Sequence, residues 1–271
     1  MASELDKTFA GSIPQRYDDY FVPLIFAPYA RDLAQRLATR APQRVLEVAA
    51  GTGVVTRAMR ERLPAATAIV ATDLNPAMLE TAARIGTAGA VEWRQADAMA
   101  LPFDDGSFDA VVCQFGVMFF PDKAKAFAEA RRVLRPGGVF LFNVWDRIAD
   151  NELADVVTDA VAVLFPDDPP RFLRRTPHGY HDVATIERDL RAGGFDAAPR
   201  IETIAARSLA PTPRHPAIAF CEGSPLRSEI EARGTDRLGE AVDASEAAIA
   251  RRFGSGPVDA KMQAHIVTVE R

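Results

Sequence analysis

The stretch Val45 to Thr56, Val-Leu-Glu-Val-Ala-Ala-Gly-Thr-Gly-Val-Val-Thr, constrains the fold more than any other part of the chain. An apolar run ends in an acidic residue, small residues and two glycines follow, and a helix-like pattern begins. That order describes a buried parallel strand delivering a tight turn to a helix N-terminus, where backbone N–H groups can face a ligand. A glycine-rich turn is weak evidence alone. Here Asp73 and Asp97 stand further along, each at the end of another apolar run.

Strand-like runs occur at 44–48, 68–72, 91–94, 110–114 and 139–144. Helical spacing occurs at 28–40, 54–62, 76–85 and 122–134. Strand and helix alternating at this interval build βαβ units, which require a parallel, doubly wound sheet. Asn75 is a suitable cap for the helix at 76–85, with Pro76 in its first turn. Leu134-Arg-Pro-Gly-Gly ends a helix and enters the fifth strand, with Pro136 as the stop and Gly137 in the left-handed region.

The second half is less regular. Helical spacing at 151–165 precedes a proline-rich break at 166–170, and a further helix at 185–192 stops at Gly193 and Gly194. Strand candidates at 199–208 and 261–270 flank an insertion at 211–257, with helices expected at 225–233 and 236–253. Ser224 is placed to cap the first of these and Gly254 to close the second.

At 271 residues, 48% hydrophobic and 25% charged, the chain can bury a sizeable core. Its net charge of -5 lacks the basic excess that a nucleic-acid surface needs. Cys113 and Cys221 cannot build a disulfide framework or a zinc site by themselves, and no metal is expected. Cys113, inside an apolar run, reads as a small buried hydrophobe. No run of about 18 apolar residues suggests a membrane span, and no signal pattern opens the chain, so the expected compartment is the cytoplasm.

In an open α/β sheet a ligand lies outside the carboxyl ends of the strands, at the switch point. Glu47, Asp73 and Asp97 fall at the ends of the first three strand candidates. Gly51 and Gly53 allow close backbone approach. Asp73 is placed to accept from both hydroxyls of a ribose. Asp97 and the Ala98 N–H are placed to read an adenine edge, and Leu74 and Met78 to cover its faces.

These pieces resemble the class I S-adenosylmethionine-dependent methyltransferases. The matching segments are Glu47–Gly53, the run Thr72-Asp-Leu-Asn-Pro-Ala-Met-Leu79, Asp97-Ala98 before Leu101-Pro102-Phe103, Val112 to Asp122 and Leu134 to Gly138. They span about 42–145 in the family order, and the small-molecule branch that includes quinone-biosynthesis enzymes is the most similar. The resemblance implies one domain over residues 1–271: a Rossmann-like, mostly parallel seven-stranded sheet with an antiparallel last strand and helical insertions. It implies S-adenosylmethionine as cofactor, S-adenosylhomocysteine as product, and Gln114 and Phe115 as further cofactor-site residues. One departure stands out: Ala49 occupies the first glycine position of the family pattern, and its methyl should crowd the site modestly.

Methyl transfer from a sulfonium is an in-line displacement, driven mainly by positioning and exclusion of water. The strand-four ending Gln114-Phe115-Gly116-Val117 lacks the Asn/Asp-Pro-Pro-Tyr/Phe run of nucleobase enzymes and the aspartate of metal-dependent catechol-type ones. A small organic acceptor is therefore expected. Specificity is assigned to segments added to the sheet: the N-terminal lid 1–29 and the insertions 148–182 and 211–257, which are long enough to mediate a homodimer. Tyr17 and Tyr20 in the lid are candidates to close over the methionine end. His178 and His181, with an ordinary pKa of about 6.5, are candidate general bases. His215 and His265 read as structural. Trp145 is a candidate pocket wall, and Arg171, Arg174 and Arg175 a candidate grip for an acidic acceptor.

Two other readings share this sheet. One is a regulatory module that holds S-adenosylmethionine without catalysis. The other is an NAD(P)-dependent dehydrogenase, whose Gly-x-Gly-x-x-Gly fingerprint would need a third glycine where Thr56 stands.

Overall fold

Seven strands form one sheet in the order β3-β2-β1-β4-β5-β7-β6 in the computed structural model, which describes residues 13–234 and 236–271. The strands are β1 (Arg44–Val48), β2 (Ala68–Asp73), β3 (Glu92–Gln95), β4 (Phe108–Gln114), β5 (Leu134–Trp145), β6 (Arg200–Ala210) and β7 (Val258–Glu270). The helices are α1 (Ile13–Arg16), α2 (Ala27–Ala38), α3 (Val54–Arg62), α4 (Pro76–Ile85), α5 (Lys123–Val133), α6 (Glu152–Leu164), α7 (Phe172–Arg175), α8 (Val183–Ala192), α9 (Arg214–Glu222), α10 (Leu226–Glu231) and α11 (Arg237–Phe253).

β1 pairs in parallel with β2 and β4, β2 with β3, and β4 with β5. β7 runs the other way. The Gly137 N–H donates to the Arg271 carbonyl, and the Asp146 N–H donates to that of Gln263, so β7 falls in number as β5 rises. The order reverses between β1 and β4, which makes that boundary the switch point.

Two compact units divide the chain. The sheet unit comprises Ala27–Val144, Tyr180–Thr203 and His265–Arg271. Its strands are nearly continuous apolar runs, as a sheet covered on both faces requires: Val45, Leu46, Val111, Val112 and Phe142 are fully buried. The helical unit comprises Trp145–Gly179, Ile204–Ala264 and, of the described residues, 13–26. There the apolar stripes of α6, α9 and α11 meet around Val157, Ala217, Cys221 and Ile249.

Several local expectations shift. α5 ends at Val133, and Leu134 is already extended, so the helix stops three residues before Pro136; Gly137 does take the left-handed region, at φ 78°. Asn75 stands at the start of α4 but its side chain makes no capping bond; its backbone N–H is held by Asp73 instead. Ser224 Oγ accepts from the Leu226 N–H and donates to the Phe220 carbonyl, and Gly254 closes α11 at φ 90°. The proline-rich start of the insertion at 211–257 is helical, not loop. Pro213 precedes α9 and Pro216 sits in its first turn, where no backbone N–H is needed, so the prolines start this helix. His215 is thus helical, with Nε2 3.3 Å from the Tyr20 carbonyl oxygen.

Of the lid 1–29, residues 1–12 lie outside the described residues. Residues Tyr17–Phe26 form a wide helical segment of i→i+5 type around Pro23. Among the described residues no helix is long and apolar enough to cross a membrane.

Candidate cofactor site

Register fixes which side chains share the carboxyl rim of the sheet. In-register partners in parallel strands point to one face, and residues two apart along a strand do the same. Glu47 pairs with Ala71 and Val112, Val112 with Leu141, and Gln114 with Asn143. One row therefore crosses the rim on a single face: Asp73 on β2, Ala49 just past β1, Gln114 on β4 and Asn143 on β5. Glu47 lies one row deeper on that face, and Asp97 stands two residues beyond Gln95, the partner of Asp73. The three carboxylates line one rim at three depths.

Asp73 anchors the glycine turn. Its Oδ2 accepts from the Gly51 N–H and its Oδ1 from the Asn75 N–H, both at 2.8 Å. Burial pushes its carboxyl above the ordinary range against the pull of these bonds. Leu74 beside it is 47% exposed, an apolar face presented outward. Met78, expected to cover the opposite face, is only 3% exposed and packs inside α4's buried stripe. Asp97 Oδ1 accepts from the Met99 N–H at 2.9 Å, and both Asp97 and Ala98 are half-buried.

Glu47 is 1% exposed and takes a hydrogen bond from the Thr56 hydroxyl on α3. Burial drives its carboxyl up to about 8, so it is largely protonated at neutral pH. Thr56 fills the position where a dinucleotide fingerprint needs its third glycine. Gly51 and Gly53 take the left-handed region at φ 56° and 83°. A Cβ on Gly53 would stand 2.9 Å from the Trp93 ring, so that glycine serves helix-on-strand packing.

Three described residues without glycine's freedom share this backbone region: Ala41 at φ 46°, before β1, and, on the rim, Ala49 at φ 55°, past β1, and Phe115 at φ 49°, past β4. Ala49 and Phe115 flank the switch point. Each such residue costs about 1–3 kcal/mol, and strain of this kind gathers at functional sites. The Ala49 methyl is accommodated because Gly116 has none; a Cβ there would lie 2.6 Å from it and 2.7 Å from Cys113 Sγ. The predicted crowding at Ala49 is thus absorbed by Gly116, and the larger effect is backbone strain. Cys113 is fully buried, as read, with burial pushing its thiol up to about 12.

Among the described residues, Thr52 Oγ1, inside the glycine turn, and Asn143 Nδ2 are buried on this rim without a hydrogen-bond partner. Sequence reasoning missed Thr52, Thr56, Gly116 and Asn143. A lone polar residue within the apolar β5 run was the available signal for the last.

The remaining candidates divide between the units. His181 belongs to the sheet unit, half-buried beside Asp182, which caps α8. His178 belongs to the helical unit, 6% exposed, with Nδ1 2.8 Å from the Asp146 carbonyl oxygen. A carbonyl only accepts, so Nδ1 carries the proton that faces it. Trp145 is 5% exposed, its ring 6.0 Å from that of His178 and 6.2 Å from Phe26. Tyr17 stacks on Phe26 at 4.9 Å, and the Tyr20 ring lies 4.8 Å from His215. Arg174 pairs with Asp155 and Asp159, and Arg175 with buried Glu229; Arg171 is exposed.

A cavity of about 370 Å³ opens elsewhere in the sheet unit, beside Arg36, Arg40, Leu141 and Glu270. Its arginines are all paired: Arg36 with Asp32 and Glu202, Arg200 with Glu202 and Arg40 with Glu270.

A doubly wound sheet with a glycine turn, a buried acidic second strand end and a strained switch point defines an α/β protein built to hold a nucleoside-type cofactor. Comparison with known proteins narrows this. A family model described as a methyltransferase domain matches residues 46–142. A demethylmenaquinone methyltransferase of Thermus thermophilus is 48% identical over 101 residues, 36% of this chain and 46% of that one. The chain therefore spans about half the length of that relative. The ubiquinone/menaquinone biosynthesis C-methyltransferase UbiE of Dinoroseobacter shibae is 34% identical over 173 residues, 59% of this chain and 69% of that one. Among solved structures, a Haemonchus contortus phosphoethanolamine N-methyltransferase, in complex with phosphomonomethylethanolamine and S-adenosylhomocysteine, shares the fold at TM-score 0.60. It is 18% identical over 98% of this chain and 59% of that one. The chain belongs to the class I S-adenosylmethionine-dependent methyltransferases, in the branch that holds the quinone-biosynthesis enzymes.

Proposed function

We propose that this protein transfers the methyl group of S-adenosylmethionine to a small organic acceptor. The observation that carries the reading is the rim at the β1/β4 switch point, where Asp73, the Gly51 turn and two left-handed residues converge. Bound there, the cofactor supplies a methyl group on a positively charged sulfur, already activated for in-line displacement.

The chain's residues would act mostly by holding. Asp73, which holds the Gly51 and Asn75 N–H groups and is also bonded by the Leu74 N–H and the Asn75 side chain, is assigned to the ribose diol at the outer edge of the turn. Exposed Leu74 supplies a face for the adenine, with Asp97 and the Ala98 N–H reading its edge. Thr52 Oγ1, buried without a partner in the turn, fits the amino-acid end. Gln114 and Phe115 follow on β4. Positioning supplies most of the acceleration in such a displacement. Where the acceptor must lose a proton, His178 Nε2 is the stronger base candidate, because the Asp146 carbonyl fixes its tautomer. His181 is the second.

The names of the relatives direct an acceptor screen to quinols first, with phenols, carboxylates and amines beside them. We treat the chain as one functional domain, with residues 148–182 and 211–257 selecting the acceptor, and as a homodimer. Two free, buried cysteines suit a reducing compartment such as the cytoplasm. Calorimetry should show binding of S-adenosylhomocysteine and none of NADH, and the reverse result would replace the reading with the dehydrogenase. A screen that releases S-adenosylhomocysteine with no acceptor would leave only a binding module. His178→Gln should abolish the acidic limb of the rate profile while leaving S-adenosylhomocysteine affinity unchanged.

A further inference from the structure

Asn143 is wholly buried near the carboxyl end of β5, paired in register with Gln114. Its Oδ1 accepts from the Phe115 N–H at 2.9 Å, a donor it shares with the ladder bond to the Asn143 carbonyl at 3.2 Å. That bond fixes the amide's orientation, because only oxygen can accept from an N–H. Nδ2, with two donors, is left on the other branch, buried and without a partner. A buried donor left unmade is costly, and a leucine of similar volume would avoid the cost. Asn143 also holds Phe115 in its left-handed conformation beside the switch point.

Position on the rim indicates what Nδ2 serves. Asp73, Ala49, Gln114 and Asn143 form one row on one face, on successive strands about 4.8 Å apart. Asn143 therefore stands about 14 Å along the rim from Asp73, at the end opposite the proposed ribose.

We propose that Asn143 is a ligand-binding residue whose Nδ2 donates to a carboxylate or carbonyl oxygen of a small molecule held on this rim. The assignment rests on the proposed methyltransferase reading. The oxygen belongs either to the amino-acid end of the cofactor or to the methyl acceptor, and the two sources separate in one experiment. Asn143→Asp keeps an oxygen for the Phe115 N–H and, titrated at alkaline pH where burial no longer holds it protonated, has no donor. Asn143→Leu removes the donors without adding charge. Thermal melts select whichever variant is folded, and Asn143→Asp carries the test if the leucine variant is not.

Each is titrated by calorimetry with S-adenosylhomocysteine and with 5′-methylthioadenosine, which lacks the amino-acid end, and assayed with the best acceptor from the screen. Donation to the cofactor weakens S-adenosylhomocysteine about tenfold or more and leaves 5′-methylthioadenosine unchanged. Donation to the acceptor leaves both affinities unchanged and lowers kcat/KM for the acceptor about tenfold or more. The assignment is overturned if all three readouts stay within twofold. It is equally overturned if both nucleosides weaken alike, which would mean a disturbed rim. A native chain that binds neither nucleoside sinks the methyltransferase reading itself.

Discussion

Two buried asparagines, one in each unit, are used in opposite ways. Asn151 in the helical unit is 4% exposed and spends its whole amide. Its Nδ2 donates to the carbonyls of Asp146, Arg147 and Gln263, and its Oδ1 accepts from the Gln263 N–H at 3.0 Å. Gln263 returns a bond from Nε2 to Asp146 Oδ2. Asn143 in the sheet unit is more deeply buried and spends only its oxygen. A polar group kept for architecture is saturated by its own chain, because each unmade bond costs stability. One kept for a ligand holds capacity back. Glu229 follows the first pattern, accepting from the Arg171 and Phe172 N–H groups and from Arg175. Thr52 follows the second.

The contrast is broken most directly by removing each amide. Asn151→Leu strands the Gln263 N–H and removes one donor from three carbonyls that keep others, and should cost about 3 kcal/mol by urea denaturation. Asn143→Leu strands one shared N–H and relieves two unmade donors, so its cost should be about 1 kcal/mol or less. Equal losses would remove the distinction between the two sites.

The next largest effect concerns Glu47. An unfolded glutamate ionises near 4.5, whereas in the fold its carboxyl stays protonated to about 8. Between those values the native chain binds one more proton than the unfolded one, so Glu47's contribution falls as pH rises through that window. Asp73 on β2 disfavours its charge, Arg57 on α3 favours it, and that charge disfavours the Cys113 thiolate on β4. Glu47→Gln removes the titration. The stability of the variant relative to the native chain should rise by on the order of 3 kcal/mol from pH 5 to pH 8. A difference flat across that range would show Glu47 already ionised.

Asp73 tests the rim's ligand capacity. Asp73→Ala should weaken S-adenosylhomocysteine about a hundredfold, since it removes a charged acceptor and frees the Gly51 turn. Thermal melts separate lost binding from lost fold. Unchanged affinity would remove the ribose from Asp73.

How far these sites could be read from sequence follows from what sets each one. The β1 turn, Asp73 and Asp97 were legible because strand period, glycine and a strand-end acid are local signals, and the sheet order followed from resemblance. The depth of Glu47 was not legible, because its burial depends on Thr56 of α3 lying over it. α9 was hidden by prolines that break a helix at most positions but tolerate its first turn. Asn143's amide is fixed by a backbone N–H 28 residues away, a contact no spacing rule supplies.

The smallest effect concerns the Ala49–Gly116 contact, and it asks whether the rim's strain is held for function. Gly116→Ala places a methyl 2.6 Å from the Ala49 methyl and 2.7 Å from Cys113 Sγ, on a backbone of ordinary φ. Overpacking of this kind should cost about 1–3 kcal/mol. Ala49→Gly removes one of the two collisions and the left-handed penalty together, so the double variant should recover about half of that loss. Alone, Ala49→Gly relieves about 1–2 kcal/mol of backbone strain and gives back about 0.4–1 kcal/mol through the freer unfolded chain. A net gain below about 1 kcal/mol is expected, read as a small rise in Tm. If the gain comes with unchanged S-adenosylhomocysteine affinity, the strain at Ala49 is tolerated by the site. If affinity falls as stability rises, the methyl and its conformation belong to the site, as the unspent amide of Asn143 is argued to.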